Sequence, residues 1–305
     1  MTNRADDAEL ALLWLPTGNL SPMIKTVGIC GSGIMGSGIA EVAAKAGFDV
    51  VLRSRKQETA DATIAKLAKS LAKQVERGKL SEEDSAAVLG RVTGTAHVGD
   101  LADCDLVIES VVEDLATKKA LFVELDGVVK TGAILATNTS TLPVVELAVA
   151  TSRPELVVGV HFFNPAPAMS LVEIISPLTA SAETTAAVTE FATTCGKNPV
   201  AVEDRAGFIV NALLFPYLNN AVRMLENRIA SRDDIDTAMK GGCNFPMGPL
   251  ALLDLVGLDT SVAILDALYT EFRDPNYATV PLLRRMVSAG QLGRKSGQGF
   301  YDYSK

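Results

Sequence analysis

The stretch Ile24-Lys25-Thr26-Val27-Gly28-Ile29-Cys30-Gly31-Ser32-Gly33-Ile34-Met35-Gly36-Ser37-Gly38-Ile39-Ala40-Glu41-Val42-Ala43 decides how this chain is read. A β-branched run breaks into glycines at 31, 33 and 36 and then into small, helix-compatible residues, the pattern of a strand, a tight turn and a helix. Such a turn presents free backbone N–H groups to a pyrophosphate, so Gly31, Gly33, Ile34, Met35 and Gly36 are candidate cofactor-binding residues. Glycine-rich turns are common in loops. The apolar strand that follows, Phe48-Asp49-Val50-Val51-Leu52, supplies the context for a dinucleotide-binding unit.

The end of that second strand identifies the cofactor. An NAD-preferring unit places an acid there, about 20 residues past the glycines, to accept hydrogen bonds from the adenosine ribose. Here the chain reads Arg53-Ser54-Arg55-Lys56. A carboxylate would repel a 2′-phosphate, whereas the Ser54 hydroxyl and the Arg55 guanidinium can bind one by charge-assisted hydrogen bonds. The stretch therefore favours NADP(H) over NAD(H). The alternative is that Arg55 is solvated, or stacks on adenine, in a protein that takes NAD(H).

With 305 residues the chain has room for two modest domains, and a 48% hydrophobic content suits a packed core. Charged residues interrupt each apolar stretch before it could span a membrane. A formal charge of -8 disfavours a nucleic-acid surface and leaves room for a local basic patch facing an anionic substrate. Cys30, Cys104, Cys195 and Cys243 are far apart and form no CxxC pair, so neither a metal site nor a disulfide framework is expected, and a reducing cytoplasm is the expected setting. Residues 1–22 lack the basic start and cleavage site of a signal peptide and are expected to be a loosely ordered tail.

Strands alternating with helices make residues 23–200 an α/β, Rossmann-type doubly wound sheet. Strands are expected at Val92–Thr95, Leu106–Val111, Ala133–Thr137 and Val157–His161, with a helix from about Leu115 to Val129. Glu58–Arg77 has helical spacing, and Ser81-Glu82-Glu83-Asp84 looks like a capped helix start, which together make an inserted helical arm. From 201 to 305 the pattern is all-α: Gly207–Asn227, with Pro216 expected to kink or interrupt it, then Arg232–Lys240, Pro249–Phe272 and Leu282–Ala289.

His161-Phe162-Phe163-Asn164-Pro165 ends a strand, where ligands of a doubly wound sheet collect. Glu173 follows in the strand-like Ser170-Leu171-Val172-Glu173-Ile174-Ile175, and a carboxylate among such residues needs a partner. Paired with it, His161 would suit a base that takes a hydroxyl proton. The alternative is a satisfied core histidine with Glu173 at a sheet edge.

In order, the segments Gly31–Gly36, Asn138-Thr139-Ser140-Thr141, His161–Pro165, Gly207-Phe208-Ile209-Val210-Asn211 and Arg294-Lys295-Ser296-Gly297-Gln298-Gly299-Phe300-Tyr301 resemble the 3-hydroxyacyl-CoA dehydrogenase family, most of all its short-chain bacterial members acting on 3-hydroxybutyryl-CoA. The resemblance covers residues 23–305. It implies reversible oxidation of a (3S)-3-hydroxyacyl-CoA to the 3-ketoacyl-CoA. His161 would be the general base, paired with Glu173, and Ser140 and Asn211 would hydrogen-bond substrate oxygens. It further implies that Glu113, Lys118 and Asn138 meet the nicotinamide side of the cofactor, that Ser70 contacts substrate, and that the helical domain forms a homodimer.

Glu113 and Lys118 could instead be ordinary residues at the start of a surface helix. The arm lysines Lys66, Lys69 and Lys73, with Arg77 and Lys79, could hold the phosphates of coenzyme A or form a solvated face. Two other functions compete: a dehydrogenase of free 3-hydroxyacids with a catalytic lysine, which the His161 motif fits poorly, and a non-catalytic dinucleotide-binding structural or sensor protein.

Overall fold

The structure is a computed structural model that describes residues 24–304. The tail expected at 1–22 lies outside them. The chain divides into two compact units, one containing the residues up to Thr139 together with Val144–Ala201, the other Ser140–Pro143 together with the residues from Val202 onward.

The first unit is built on one eight-stranded sheet whose last strand runs past Ala201. In chain order its strands are β1 (Thr26–Cys30), β2 (Asp49–Arg53), β3 (Val92–Thr95), β4 (Leu106–Glu109), β5 (Ile134–Thr137), β6 (Val157–Phe162), β7 (Leu171–Ser176) and β8 (Asn198–Glu203). Their spatial order is β3-β2-β1-β4-β5-β6-β7-β8, parallel from β3 to β6, with β7 antiparallel to β6. The central strands are almost wholly apolar because helices cover both faces of a parallel sheet. Strand order reverses at β1, between β2 and β4, which opens a ligand crevice beyond the carboxyl ends of those strands.

The helix α1 (Ile34–Lys45) follows the glycine turn, and its Ile39, Ala40, Ala43 and Ala44 are buried in the sheet core. The arm is a pair of helices between β2 and β3: α2 (Gln57–Glu76) buries Ala60, Leu67 and Leu71, and α3 (Glu82–Gly90) starts at Ser81, whose hydroxyl accepts the Asp84 N–H. Next come α4 (Leu115–Asp126), α5 (Val144–Ala148) and α6 (Ala182–Thr194).

The second unit holds α7 (Val210–Glu226), α8 (Arg232–Cys243), α9 (Pro249–Val256), α10 (Leu258–Phe272) and α11 (Pro281–Ser288), packed through Phe215, Leu218, Leu253, Leu265 and Leu283. Two expectations need correction. Pro216 does not interrupt α7, whose buried Phe215 and Leu218 tie it to the helical core on both sides of the proline. The single helix expected over Pro249–Phe272 is two helices, because Gly257 adopts φ 102°, a left-handed value that no helix continues through.

Candidate active site

The glycine turn separates what the chain needs from what a ligand needs. Gly31 has φ 128°, and a Cβ there would lie 2.2 Å from the Ser110 carbonyl oxygen. A Cβ on Gly36 would lie 1.9 Å from the Gly31 carbonyl oxygen, so neither position admits a side chain. At Gly33 a Cβ would meet nothing within 4 Å. No contact with the described residues therefore requires a glycine at this position. Gly33 caps α1 without a side-chain hydrogen bond, and the first turn of α1 has no acid, so the positive end of the helix stays uncompensated. A pyrophosphate fits this cradle.

Beside the cradle, Ser54 follows directly on β2, buried, with its Oγ accepting a 2.9 Å hydrogen bond from Ser32 Oγ. The serine hydroxyl thus joins the second strand to the turn at the place where an acid commonly stands. Arg53 lies in register with Cys30 and Thr95, and its Nε is buried without a hydrogen-bond partner. Arg55 is exposed.

Past the ends of β4 and β5 lies a charged network. Glu109 and Thr137 are in register and fully buried. Glu109 Oε1 accepts from the Val111 N–H (2.6 Å) and Lys118 Nζ (2.7 Å), and Oε2 accepts from Lys118 Nζ (2.8 Å) and Thr137 Oγ1 (2.7 Å). Lys118 also reaches Glu113 Oε2 at 3.0 Å, and Thr139 Oγ1 donates to Glu113 Oε1 at 2.5 Å. The Lys118 side chain is 1% exposed and that of Glu113 is 38% exposed. Lys118 is therefore no ordinary surface lysine. Asn138, on the same β5 turn, accepts the Phe162 N–H through Oδ1 (2.8 Å) and so anchors the end of β6.

His161 and Glu173 face each other across β6 and β7 as a register pair, and Glu173 is interior to the sheet, with β8 beyond β7. The His161 Nδ1 to Glu173 Oε2 distance is 2.7 Å, with the two residues 6% and 1% exposed. A carboxylate only accepts, so in the neutral imidazole Nδ1 carries the hydrogen and Nε2 is the acceptor. The Phe163 ring lies against the imidazole, centroids 4.4 Å apart. The loop that joins this strand pair is held by Lys197, whose Nζ donates to the carbonyls of Ala166 (2.7 Å) and Met169 (2.8 Å), and burial lowers the pKa of this lysine. On the arm, Ser70 Oγ accepts a 3.4 Å hydrogen bond from Gln74 Nε2, while Lys66, Lys69, Lys73, Arg77 and Lys79 are all exposed.

In the second unit, Ser140 and Asn211 come together: Asn211, at the start of α7, donates from Nδ2 to the Ser140 carbonyl at 3.3 Å. The Arg294–Tyr301 motif is structural. Asp254 accepts the backbone N–H groups of Phe300 (2.8 Å) and Tyr301 (2.9 Å) and the Tyr303 hydroxyl (3.1 Å). Asp236 accepts the Leu250 N–H (2.8 Å) at the start of α9 and the Tyr301 hydroxyl (2.8 Å).

The parts that Glu109, Thr137, Thr139 and Lys197 play in these contacts were not legible in the sequence. The available signal for Glu109 is an acid closing an otherwise apolar strand, Leu106-Val107-Ile108-Glu109.

Residues 26–205 match the 3-hydroxyacyl-CoA dehydrogenase NAD binding domain, and residues 207–303 match the C-terminal domain of that family. The chain belongs to the 3-hydroxyacyl-CoA dehydrogenase family. The dehydrogenase is 48% identical over 286 residues to a Mycobacterium tuberculosis 3-hydroxybutyryl-CoA dehydrogenase, covering 93% of this chain and 100% of that protein. A Clostridioides difficile 3-hydroxybutyryl-CoA dehydrogenase is 49% identical, over 91% of this chain and 99% of its own length. The crystal structure of (S)-3-hydroxybutyryl-CoA dehydrogenase PaaH1 from Ralstonia eutropha matches this dehydrogenase with a TM-score of 0.90 at 44% identity, covering 92% of this chain and 100% of that one.

Proposed function

We propose that this dehydrogenase oxidises (3S)-3-hydroxybutyryl-CoA reversibly to acetoacetyl-CoA, as its relatives are named to do. The observation that carries this reading is the buried His161–Glu173 pair at the end of β6, on the sheet whose β1 leads into the glycine cradle. His161 Nε2 accepts the C3 hydroxyl proton, and Glu173 stabilises the imidazolium that forms and holds the ring in the required tautomer. A bound nicotinamide supplies the acceptor for the C3 hydride. Ser140 and Asn211 orient the substrate and polarise the ketone oxygen. In the reverse direction His161 returns the proton.

The nicotinamide half is met by Glu113 and Asn138, with Lys118 acting through Glu113, and the pyrophosphate by Gly31, Gly33, Ile34, Met35 and Gly36. We assign the adenosine end to NADP(H) in preference to NAD(H). The exposed Arg55 and the Ser54 hydroxyl, in place of an acid, support a 2′-phosphate site there. Ser70 and the basic face of the arm take the coenzyme A portion. The helical domain, 201–305, makes a homodimer, a reading supported by the exposed apolar side chains of Leu213, Met224, Ile229 and Phe245. The cytoplasm suits a chain whose Cys30, Cys104, Cys195 and Cys243 are free thiols.

Initial rates of acetoacetyl-CoA reduction with NADPH and with NADH at matched concentrations test the whole reading. Turnover with both, faster with NADPH, is expected. Faster turnover with NADH overturns the phosphate assignment alone. Cofactor binding without turnover of acetoacetyl-CoA or any longer 3-ketoacyl-CoA overturns the enzymatic reading in favour of a dinucleotide-binding protein without catalysis.

A further inference from the structure

Lys118 stands out because its ammonium is withdrawn from solvent and spent on carboxylates. Its three polar contacts are both oxygens of Glu109 and one oxygen of Glu113. Glu109 is in turn saturated, with two hydrogen bonds to each oxygen. The group that the network offers to a ligand is therefore the half-exposed Glu113 carboxylate, held from behind by Lys118 through Oε2 and by Thr139 through Oε1.

We propose that Glu109 and Lys118 are positioning residues that act on the cofactor through Glu113, and that the single net negative charge of this trio favours the oxidised cofactor over the reduced one. The inference rests on the placement of the nicotinamide near Glu113. Two carboxylates and one ammonium sum to one negative charge, so with Glu109 present Lys118 does not neutralise the trio, and its exposed member is Glu113. Oxidised nicotinamide is a cation and dihydronicotinamide is neutral, so a net anion beside the ring stabilises the two forms unequally. Without Glu109, Lys118 would neutralise Glu113 and the discrimination would vanish. A buried ion pair kept only for stability would have no such effect, and well-packed neutral residues commonly replace such pairs without loss.

The test is equilibrium binding of NAD⁺, NADH, NADP⁺ and NADPH to the wild type, to Glu109→Gln and to the double variant Glu109→Gln/Lys118→Met. In Glu109→Gln the ratio of oxidised to reduced dissociation constants should rise about threefold to tenfold for either cofactor, the scale of one unit charge acting through a partly screened interior. The double variant restores the net charge but removes the anchor of Glu113. Its ratio should return to within about twofold of the wild type while both forms bind more weakly.

Equal weakening of both forms in Glu109→Gln, or a double variant that keeps the altered ratio, would overturn the proposal. If Glu109→Gln does not fold, Glu113→Gln removes the same charge at the half-exposed end, and an unchanged ratio there overturns it equally. Because the readout is binding, variants that shift as described, with a wild type that does not turn over acetoacetyl-CoA, would refute the proposed activity and leave this inference standing.

Discussion

Two buried carboxylate networks, one at the end of the sheet and one among the helices, use similar residues for opposite purposes. Around Glu109 the donors are an ammonium, a threonine hydroxyl and one backbone N–H, and the chain of contacts ends in a carboxylate open to solvent. Around Asp254 the donors are two backbone N–H groups and a tyrosine hydroxyl, and the contacts close the last residues onto α9. Burial pushes the Asp254 carboxyl up, and its hydrogen bonds offset part of that rise. Neighbouring glycines follow the same logic, since a Cβ on Gly299 would lie 2.0 Å from Asp254 Oδ1. A buried carboxylate satisfied by backbone groups closes the fold on itself, whereas one that relays through a buried cation to an exposed acid is the arrangement proposed above to serve a ligand.

That contrast can be broken by measuring stability and turnover on the same variants. The largest effect belongs to the sheet end: His161→Gln should lose about 10²- to 10⁴-fold in turnover with cofactor binding and thermal midpoint nearly unchanged. Glu173→Gln should lose less and alter the pH–rate profile. Wild-type turnover in the first, or an unchanged profile in the second, would remove that residue from the pair. In the helical unit the pattern should invert. Asp254→Ala leaves two N–H groups and a hydroxyl without their acceptor and should cost about 3–5 kcal/mol in denaturant unfolding while turnover per folded molecule is kept.

The smallest effect sharpens the rule by asking whether a cationic partner alone marks a functional acid. Asp126, at the opposite end of α4 from Lys118, accepts from Arg153 Nε (2.6 Å) and the Ser152 N–H (2.7 Å). Burial opposes its ionisation, but these donors outweigh burial and hold its pKa below the ordinary 3.8. A carboxyl lowered by folding stabilises the protein above its unfolded pKa and loses that contribution as pH falls through the folded value. Asp126→Asn should therefore cost about 1–2 kcal/mol at neutral pH, with the gap to wild type narrowing in acid and turnover unaffected. A turnover loss without a stability loss would show that pairing with a cation is by itself enough to signal function.

Much of the fold was legible because it is local. The turn at Gly31–Gly36, the strands around it and the capped arm helix at Ser81 all follow from periodicity, glycine placement and capping chemistry within a few residues. Legibility failed where distant contacts compete with local preference. Pro216 argues against a continuous helix, yet α7 continues because its flanking residues are buried. The apolar run through Gly257 reads as one helix, yet the glycine turns the chain. The expected pairing of His161 with Glu173 rested on residue type, and the register that sets them opposite each other belongs to the sheet.

By itself the sequence determined the α/β class, the dinucleotide cradle, the missing acid at Ser54 and the identity of the chemically competent side chains, since these depend on neighbours along the chain. Tertiary structure alone decided that Gly33 is open where Gly31 and Gly36 are crowded, that Lys118 is buried between two acids, and that Glu109 is saturated. Those facts depend on which atoms meet across strands far apart in sequence, where exclusion of water makes an unpaired charge costly and a paired one specific.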